Sequence, residues 1–381
     1  MNAHIVSFRV MLILVMLQAN RVAAQGILPR PDHIVIVILE NHGYDKIIGS
    51  AAAPYINALA NDPFSALFTG SYGITHPSQP NYLALYSGNT QGVTDDLLPS
   101  GAPFITPNLG RQLLDSAKTF STYSEDLPQV GFNGEIAGYY ARRHNPATNW
   151  TGNGTNQIPA TINQPFTAFP SGNFELLPTV CFVQPNVYND MHDGTDPARI
   201  TTGDAWIAGN LDGYIRWAKT TNNLFILTFD EDSGTPLNKI TTIFTGKMIQ
   251  PGQYSIMINH YSVLHTIEMI YGLPVIGDST LNTPIRNCWK INLQNGIPAS
   301  PGITTGSIYP NPGNGFFYVR LSSYRGATAE IYNLNGGLIQ VTPLVASETE
   351  IRVDGLLSGL YLVKIKSNEG VSLQKFIKKN F

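Results

Sequence analysis

One nearly uninterrupted apolar run near the start of the chain constrains the fold more than any other feature. Residues 33–39 read HIVIVIL, and the run ends directly on Glu40-Asn41-His42. A continuous run of mostly β-branched residues predicts a strand that is covered on both faces, as strands of parallel sheets are. The polar residues that follow are therefore expected at the carboxyl end of a buried strand.

Two later segments repeat this pattern. Residues 179–183 lead into Gln184-Pro185-Asn186, and residues 224–229 lead into Asp230-Glu231-Asp232. Strands that alternate with helices indicate an α/β fold with a mostly parallel sheet flanked by helices, and ligands bind beyond the carboxyl ends of such strands. The predicted helices are 54–60, 80–87, 108–117, 202–219 and 260–271.

The N-terminus has the layout of a cleaved signal peptide. Arg9 precedes an apolar run from Val10 to Leu17, and small residues precede Gln25. The run is shorter than the roughly 20 apolar residues of a membrane-spanning helix, so no integral membrane segment is expected after cleavage. A buried core helix is the alternative interpretation.

Length and composition predict two domains and exclude a lasting nucleic-acid partner. The 381 residues, 43% of them hydrophobic, exceed what one core normally supports. A net charge of −3 with 13% charged residues leaves no basic field for a polyanion. The only two cysteines, Cys181 and Cys288, could pair after export, but their spacing leaves this open. Residues 142–173 lack a clear period, which predicts a long loop.

The C-terminal part predicts a separate small β-domain. Beyond Gly302, short alternating strands at 315–321, 327–334, 349–353 and 359–366 are separated by turn residues, which indicates a β-sandwich. A basic tail of Lys375, Lys378 and Lys379 follows.

Three motifs stand out in this part: Tyr309-Pro310-Asn311-Pro312, Ile331-Tyr332-Asn333 and Leu357-Ser358-Gly359-Leu360-Tyr361. They resemble the C-terminal sorting domain of the type IX secretion system of Bacteroidetes. The resemblance implies the type IX machinery as a partner and a protein that is secreted or attached to the cell surface. A carbohydrate- or surface-binding module is the alternative, since a fold alone does not fix function. The expected division is a signal peptide at 1–24, a catalytic domain at 25–295, a linker at 296–306 and the sorting domain at 307–381.

Two acidic pairs follow buried strands and are candidate metal ligands. Glu40-Asn41 and Asp230-Glu231 could meet at one edge of the sheet and bind a hard divalent cation. Acids after strands also cap helices or solvate loops, but two pairs at matching strand ends strengthen the metal interpretation. Oxygen ligands suit Mg, Ca or Mn, and a histidine ligand would admit Zn or Fe, so identity and number stay open.

Ser78 precedes the predicted helix 80–87 and is a candidate nucleophile. Backbone N–H groups and the helix dipole favour a phosphate at such a position, where a serine could attack phosphorus. The alternative is that Ser78 is only the N-cap of the helix.

Eight motifs follow one another in order over residues 33–271. They are Glu40-Asn41-His42, Ala53-Pro54-Tyr55-Ile56-Asn57, Thr75-His76-Pro77-Ser78 with Pro80-Asn81-Tyr82-Leu83-Ala84, Tyr123-Ser124-Glu125, Arg143-His144-Asn145-Pro146, Asn189-Asp190-Met191-His192-Asp193, Phe229-Asp230-Glu231 and Asn259-His260-Tyr261-Ser262. Together they resemble the phosphoesterase family of bacterial and fungal acid phosphatases and phospholipases C, which belongs to the alkaline-phosphatase-like superfamily.

The resemblance implies a metal-assisted serine or threonine nucleophile and a covalent phosphoenzyme. It assigns Ser78 as the nucleophile, with Thr75 as the less favoured substitute. It also implies that the metal ligands are Glu40, Asn41, Asp230 and Glu231.

The remaining candidates are a carboxylate and several histidines. Asp190, His192 and His260 resemble a second cluster, which holds a metal in some members of the superfamily and contacts phosphate in others, so their roles stay open. His144 could give the leaving group its proton, or it could be a surface histidine that only attracts anions. Structural or supporting roles are expected for His42, His76 and His265.

Together these features predict a secreted, metal-dependent phosphoester hydrolase, an acid phosphatase acting on small phosphomonoesters through a phosphoserine. The catalytic residues do not separate this activity from that of a phospholipase C or another phosphodiesterase. A non-catalytic surface-binding protein on a hydrolase scaffold is the third interpretation.

Overall fold

The strand predicted at 33–39 lies at the centre of a nine-stranded sheet. In the computed structural model, which describes residues 28–290, 306–333, 337–367 and 370–379, this strand is β1 (His33–Leu39) and pairs in parallel with a strand on each side. Its even-numbered residues from Ile34 pack into a core on one face, and its odd-numbered residues from Val35 pack into a core on the other. Successive side chains of a strand point to opposite faces, so burial on both sides requires the uninterrupted apolar run.

All strands of this sheet except one run in the same direction. The further strands before residue 290 are β2 (Ser65–Tyr72), β3 (Phe120–Ser124), β4 (Ile136–Ala137), β5 (Tyr140–Ala141), β6 (Asn163–Pro165), β7 (Val180–Gln184), β8 (Asn223–Phe229), β9 (Lys239–Thr245), β10 (Gly252–Tyr254) and β11 (Ile258–Asn259). The order is β10-β2-β9-β8-β1-β7-β3-β6, with β11 beside β2, and only β9 is antiparallel to its neighbours. β4 and β5 form a separate hairpin.

Helices cover both faces of the sheet, which confirms the predicted α/β fold with a mostly parallel sheet. The helices are α1 (Tyr44–Ile47), α2 (Pro54–Ala60), α3 (Ser78–Ser87), α4 (Leu109–Asp115), α5 (Ala198–Ala218) and α6 (His260–Tyr271). α3 and α6 contribute to the core on one face, and α2 and α5 contribute to the core on the other.

Three strands escaped the sequence analysis because they carry many hydroxyl groups. β2, β3 and β9 read SALFTGSY, FSTYS and KITTIFT, without a continuous apolar run. Where β2, β9 and β8 adjoin, the hydroxyls pair across the strands, as between Ser71 Oγ and Thr242 Oγ1 at 2.7 Å and between Thr228 Oγ1 and Thr242 Oγ1 at 2.9 Å. Such cross-strand pairs satisfy buried hydroxyls at little cost, so a polar strand can lie in the core of a sheet.

Two local expectations need correction. α3 begins at Ser78 rather than at Pro80, and α5 begins at Ala198 rather than at Thr202. The segment 142–173 is also not a loop without elements, because it contains the edge strand β6 and several short 3-10 turns. These turns are Arg142–His144, Pro146–Trp150, Ala160–Ile162 and Phe166–Ala168, and two others, Phe174–Leu176 and Gly277–Leu281, lie further along the chain.

The two cysteines are free thiols. Cys181 packs in the core on one face of the sheet, and Cys288 packs in the core on the other. The disulfide left open by the sequence is therefore not formed.

The residues after 306 form two antiparallel sheets. The strands are β12 (Ser307–Tyr309), β13 (Phe316–Arg320), β14 (Thr328–Tyr332), β15 (Leu338–Pro343), β16 (Glu348–Arg352), β17 (Gly359–Ser367) and β18 (Gly370–Lys378). One sheet has the order β12-β13-β16 and the other β15-β14-β17-β18, and both contribute to one core, in which the rings of Phe317 and Phe376 lie 4.4 Å apart. Lys375 and Lys378 belong to β18 and are therefore not part of a tail.

The chain divides into two compact units, Met1–Lys290 and Ile291–Phe381. The predicted signal peptide at 1–24, the end of the catalytic domain near 295 and all of the linker 296–306 except Gly306 lie outside the described residues. Among the described residues, no helix combines the length and hydropathy needed to cross a membrane.

Glu268, a fully buried carboxyl group of α6, gives the first testable prediction. Its two oxygens accept hydrogen bonds from the Ile276 N–H and the Ser279 hydroxyl, and burial raises its pKa from 4.5 to about 7. Between these two pH values, the native state keeps a proton on Glu268 that the unfolded state has already released. The free energy of unfolding should therefore fall by about 2–3 kcal/mol as the pH rises through this window. Glu268→Gln should remove this dependence.

Thermal unfolding midpoints of the wild type and Glu268→Gln, measured between pH 4.5 and pH 8, test the prediction. The difference between the midpoint of the variant and that of the wild type should increase in favour of the variant as the pH rises. Parallel curves would show that Glu268 titrates normally.

Candidate active site

The carboxyl ends of β1 and β8 bring the two predicted acidic pairs together. These neighbouring parallel strands end in register at Leu39 and Phe229, so Glu40 and Asp230 follow at the same level. Both side chains are fully buried, and the Asn41 N–H donates a hydrogen bond to Asp230 Oδ1 at 2.9 Å. Strand register thus converts a sequence separation of 190 residues into direct contact between the two pairs.

Ser78 lies against these carboxylates. Its Oγ donates a hydrogen bond to Glu40 Oε2 at 2.8 Å and lies 3.2 Å from Glu231 Oε1. Pro77 holds the N-cap position of α3, and Ser78 occupies the first helical position, so its hydroxyl does not cap the helix. The Thr75 hydroxyl contacts the His76 carbonyl instead, at 3.2 Å. The structure therefore brings Ser78, and not Thr75, to the carboxylates.

Asn81 holds the chain that leads into Ser78. Its side-chain oxygen accepts hydrogen bonds from the N–H groups of Ile74 and Thr75, and its Nδ2 donates to the carbonyls of Thr75 and Pro77. One fully buried amide thus fixes both sides of the turn before α3. This explains why the Pro80-Asn81 pair accompanies the serine.

Of the carboxylates around Ser78, Glu231 contacts His76 and Glu40 lies beside His144, but Asp230 has no ion-pair partner among the described residues. Burial, and then the charges of Glu40 and Glu231, raise the pKa of Asp230 well above its usual range, and burial raises the pKa of Glu231 to about 7. Asp230 Oδ2 is buried without a hydrogen-bond partner among the described residues. Buried carboxylates that lack partners are costly, and a set of carboxylate and hydroxyl oxygens is what a hard divalent cation prefers. The residues therefore fit a metal ion.

His144 forms a second cluster with Glu40 and Asp190. Its Nε2 lies 3.1 Å from Glu40 Oε1, and its Nδ1 lies 3.0 Å from Asp190 Oδ2. His144 is 2% exposed, so it is not the surface histidine of the alternative interpretation. Burial lowers its pKa to about 4 and raises that of Asp190 to about 8. One potential ligand atom from each of the three residues falls within 4.8 Å of the others, so this group could also hold a cation.

The other predicted histidines lie at different distances from these clusters. The His192 N–H donates to Asp190 Oδ1 at 2.8 Å, and its ring lies 5.9 Å from that of His144. His260 Nε2 donates to the backbone carbonyl of Asp230 at 2.5 Å, so it supports the strand end instead of facing the carboxylates. His42 contacts the Glu40 carbonyl and Asp196.

Two more histidines were expected to be structural or supporting. His76 contacts the Glu231 carboxylate and donates from Nε2 to the Thr235 carbonyl at 3.1 Å. His265 contacts the carbonyl of Asn282, away from both clusters.

Tyr82 is a site residue that the sequence analysis missed. Its hydroxyl donates to Glu40 Oε1 at 2.5 Å, and its ring stacks on His144 with the centroids 5.2 Å apart. Ser78 and Tyr82 are four residues apart in α3 and so share one face of the helix. That spacing was available in the sequence once Ser78 had been placed at the helix start.

A serine among buried carboxylates, beyond the carboxyl edge of a mostly parallel sheet, is an arrangement typical of the active site of an α/β enzyme. Residues 50–274 match the Phosphoesterase family, and residues 307–379 match the Secretion system C-terminal sorting domain. The first match spans more than half of the chain, which therefore belongs to the Phosphoesterase family. The sorting domain indicates export.

Named relatives support the same class. A phosphatidylinositol-3-phosphatase of Mycobacterium tuberculosis is 46% identical over 267 residues, which are 70% of this chain and 85% of that protein. An acid phosphatase of Aspergillus fumigatus is 30% identical over 259 residues, 63% of this chain and 55% of that protein, so the chain spans little more than half of the fungal enzyme. The protein is accordingly a phosphoric ester hydrolase.

A solved structure of a protein in the alkaline phosphatase superfamily from Vibrio parahaemolyticus is 13% identical in sequence and superposes with a TM-score of 0.47. The match covers 97% of this chain and 90% of the Vibrio chain. This distant similarity carries no argument about the site.

Proposed function

We propose that the protein is a metal-dependent phosphomonoesterase of the acid phosphatase type, in which Ser78 attacks phosphorus. The observation that carries the proposal is the hydrogen bond from Ser78 Oγ to Glu40 within a group of buried carboxylates. Both relatives described above are named as phosphatases, which favours monoesters over diesters.

Glu40, Asp230 and Glu231, with Asn41 beside them, would hold the cation next to Ser78 Oγ. A divalent ion bound there supplies Lewis-acid stabilisation of phosphoryl charge and favours the alkoxide of serine. The carboxylates fix the Ser78 oxygen in one position, since it cannot rotate without losing its bonds to Glu40 and Glu231. The positive end of the α3 dipole adds an electrostatic attraction for the negative phosphoryl oxygens.

The His144–Asp190 pair is the proposed source of the leaving-group proton. Because burial gives Asp190 a pKa of about 8 and His144 one of about 4, the proton of the pair rests on the carboxyl at neutral pH. His144 Nδ1 lies 3.0 Å from Asp190 Oδ2 without a hydrogen bond between them, so the proposed transfer from Asp190 to the ring requires the two groups to realign when substrate binds. Stacking on Tyr82 holds the ring in place for this transfer.

A matched pair of substrates tests the proposed function. Purified enzyme should hydrolyse p-nitrophenyl phosphate with a kcat/KM at least about 100-fold above that for bis-p-nitrophenyl phosphate, because the binding groups complement a dianionic phosphoryl group. Activity should disappear on chelation and return with a divalent cation.

Phosphatidylcholine, assayed for release of phosphocholine, tests the phospholipase C alternative. A diester hydrolysed faster than the monoester, or full monoesterase activity after exhaustive chelation, would contradict the proposal.

A further inference from the structure

The two sheets of the C-terminal unit present outer faces of different chemistry. On the sheet β12-β13-β16, Tyr318 and Arg320 alternate with core residues of β13 and so point away from the core. Arg320 Nη2 lies 2.9 Å from Glu348 Oε2, and the Tyr318 hydroxyl donates a hydrogen bond to Glu350 Oε2 at 3.0 Å. Outer faces of sandwich sheets are normally polar, and on this one the polar groups satisfy each other across β13 and β16. This face is therefore suited to contact with water.

The outer face of the other sheet, β15-β14-β17-β18, is largely apolar. Val363 and Ile365 of β17 lie in the core, so the even-numbered residues of that strand and their partners on β14 and β18 point outwards. The aliphatic side chains that the strand register places on this face, outside the core, include Leu338, Val341, Leu360, Leu362, Leu373 and Ile377. Leu338 and Val341 are 54% and 50% exposed. Apolar surface of this kind on a folded protein marks an interaction site.

The charged groups on this apolar face are mostly lysines. Within the described bounds of the four strands there is one carboxylate, Glu330, and it pairs with Lys366. Lys364 and Lys375 lie on the same face, and their ammonium groups make no hydrogen bond or ion pair with any residue that the structure describes. The face therefore carries unpaired positive charge within apolar surface.

This combination distinguishes between three kinds of partner. A second copy of the chain would bring two positively charged faces together, because an isologous contact uses the same patch on both subunits. An anionic membrane is bound by clusters of about four to eight Lys or Arg, whereas only Lys364 and Lys375 are unpaired here. A protein surface that is apolar and carries carboxylates complements both the aliphatic side chains and the lysines.

We propose that the outer face of the sheet β15-β14-β17-β18 is a docking surface for a protein whose own contact surface is apolar and acidic. Residues 307–379 match the Secretion system C-terminal sorting domain, which indicates that this partner belongs to the export apparatus. Recognition is thereby assigned to one face of the unit, and the face with Arg320 and Glu348 is left to solvent. Docking here is independent of the proposed phosphomonoesterase activity.

Leu362 is the expected centre of the contact. It lies between Tyr332 of β14 and Lys375 of β18, with Leu360 two residues away on the same strand. Side chains near the centre of an interface carry most of its binding free energy. Substitutions at Leu362 and Lys375 should therefore weaken docking more than substitutions elsewhere on the unit.

Export of the full chain by a bacterium with a type IX secretion system tests the docking surface. Leu362→Ser removes apolar surface from the face, and Lys375→Glu reverses one of its unpaired charges. Both variants should lower the exported fraction by at least about 5-fold and accumulate in the periplasm, as expected when an interface loses a central contact. Arg352→Glu makes the same change of charge at an exposed position of β16, and this matched control should be exported like the wild type. Immunoblots of periplasmic, cell-surface and medium fractions measure these amounts.

Thermal unfolding of the purified variants separates a loss of docking from a loss of folding. Both changed side chains point away from the core, so the melting temperatures should stay within about 4 °C of that of the wild type. If Leu362→Ser melts lower than this, Leu338→Ser on the edge strand β15 replaces it as the apolar variant. Normal export of folded Lys375→Glu and of the folded apolar variant would contradict the docking surface, as would an equal loss of export in Arg352→Glu.

Light scattering and a vesicle-binding assay examine the two other occupants. A wild-type dimer that Leu362→Ser converts to a monomer would identify a second copy as the occupant and overturn the proposal. Binding of the wild type to phosphatidylglycerol vesicles that Lys375→Glu abolishes would identify a membrane surface instead. We expect the same oligomeric state in the wild type and Leu362→Ser, and no more vesicle binding by the wild type than by Lys375→Glu.

Discussion

Ser78→Ala is expected to lower kcat for p-nitrophenyl phosphate by at least about 10³-fold, the scale seen when a catalytic unit loses its nucleophile. The Ser78 oxygen donates a hydrogen bond to Glu40 at 2.8 Å, and the side chain is 3% exposed. Loss of Oγ removes the atom that would form the covalent phosphoserine. Steady-state kinetics, together with acid-quench trapping of phosphoenzyme from labelled substrate, measures both consequences.

Thr75→Ala is the matched control, because it removes a nearby hydroxyl that contacts only the His76 carbonyl. The control should keep turnover within about 3-fold of the wild type, as expected for loss of one exposed hydrogen bond. A Ser78→Ala enzyme with near-normal turnover would exclude Ser78 as the nucleophile. A Thr75→Ala enzyme that alone loses the phosphoenzyme would transfer that role to Thr75.

Asp230→Asn is expected to abolish activity and to remove most of the stabilisation that the protein gains from metal. Without metal, the wild type at pH 8 keeps Asp230 among other carboxylates, so the neutral variant should melt at or above the wild-type temperature. A divalent cation at a hundredfold excess over its Kd should raise the free energy of unfolding of the wild type by about 2.7 kcal/mol, because it binds only the native state. The free energy of unfolding of the variant should increase far less. Thermal melts of chelated and metal-loaded protein measure this crossover independently of catalysis.

Glu268→Gln serves as the control for this comparison. It also replaces a buried carboxylate by an amide in the same unit, but Glu268 belongs to α6 and contacts Ile276 and Ser279 instead of the carboxylates near Ser78. Its melting temperature should therefore rise with metal as much as that of the wild type. Equal metal responses in Asp230→Asn and the wild type would show that the cation binds elsewhere.

Elements of the fold were predictable from the sequence where burial demanded a distinctive pattern. The bounds of β1 and α6 agree with prediction, because an uninterrupted apolar run leaves few alternatives for β1, and Asn259 and Gly272 terminate α6 at its two ends. β2 and β9 were not predictable, since their buried hydroxyls are satisfied only by partners on other strands. The sequence pattern of a single strand does not reveal which residue on another strand will pair with its hydroxyl groups.

The same distinction applies to the candidate site, where the positions of some residues could be predicted and those of others could not. Glu40 and Asp230 follow recognisable strands, and Ser78 begins a recognisable helix, so their convergence could be argued from topology. The burial of His144 could not, because it depends on contacts between distant segments. The next residue, Asn145, donates from Nδ2 to Ser124 Oγ at 3.0 Å and to Asn163 Oδ1 at 2.7 Å, which anchors the turn that carries the histidine.

The two unpaired thiols lie on opposite sides of the central sheet, so they can serve as chemical probes of how each side of residues 28–290 unfolds. Cys181 and Cys288 are both fully buried, and burial raises the pKa of each thiol, so alkylating reagents cannot modify either one until its own layer opens. Mass spectrometry of partially alkylated protein would then report separately on the opening of each layer. Because the sheet separates the two sulfur atoms, they form no disulfide in the native state. Folding of this part of the chain therefore requires no oxidant.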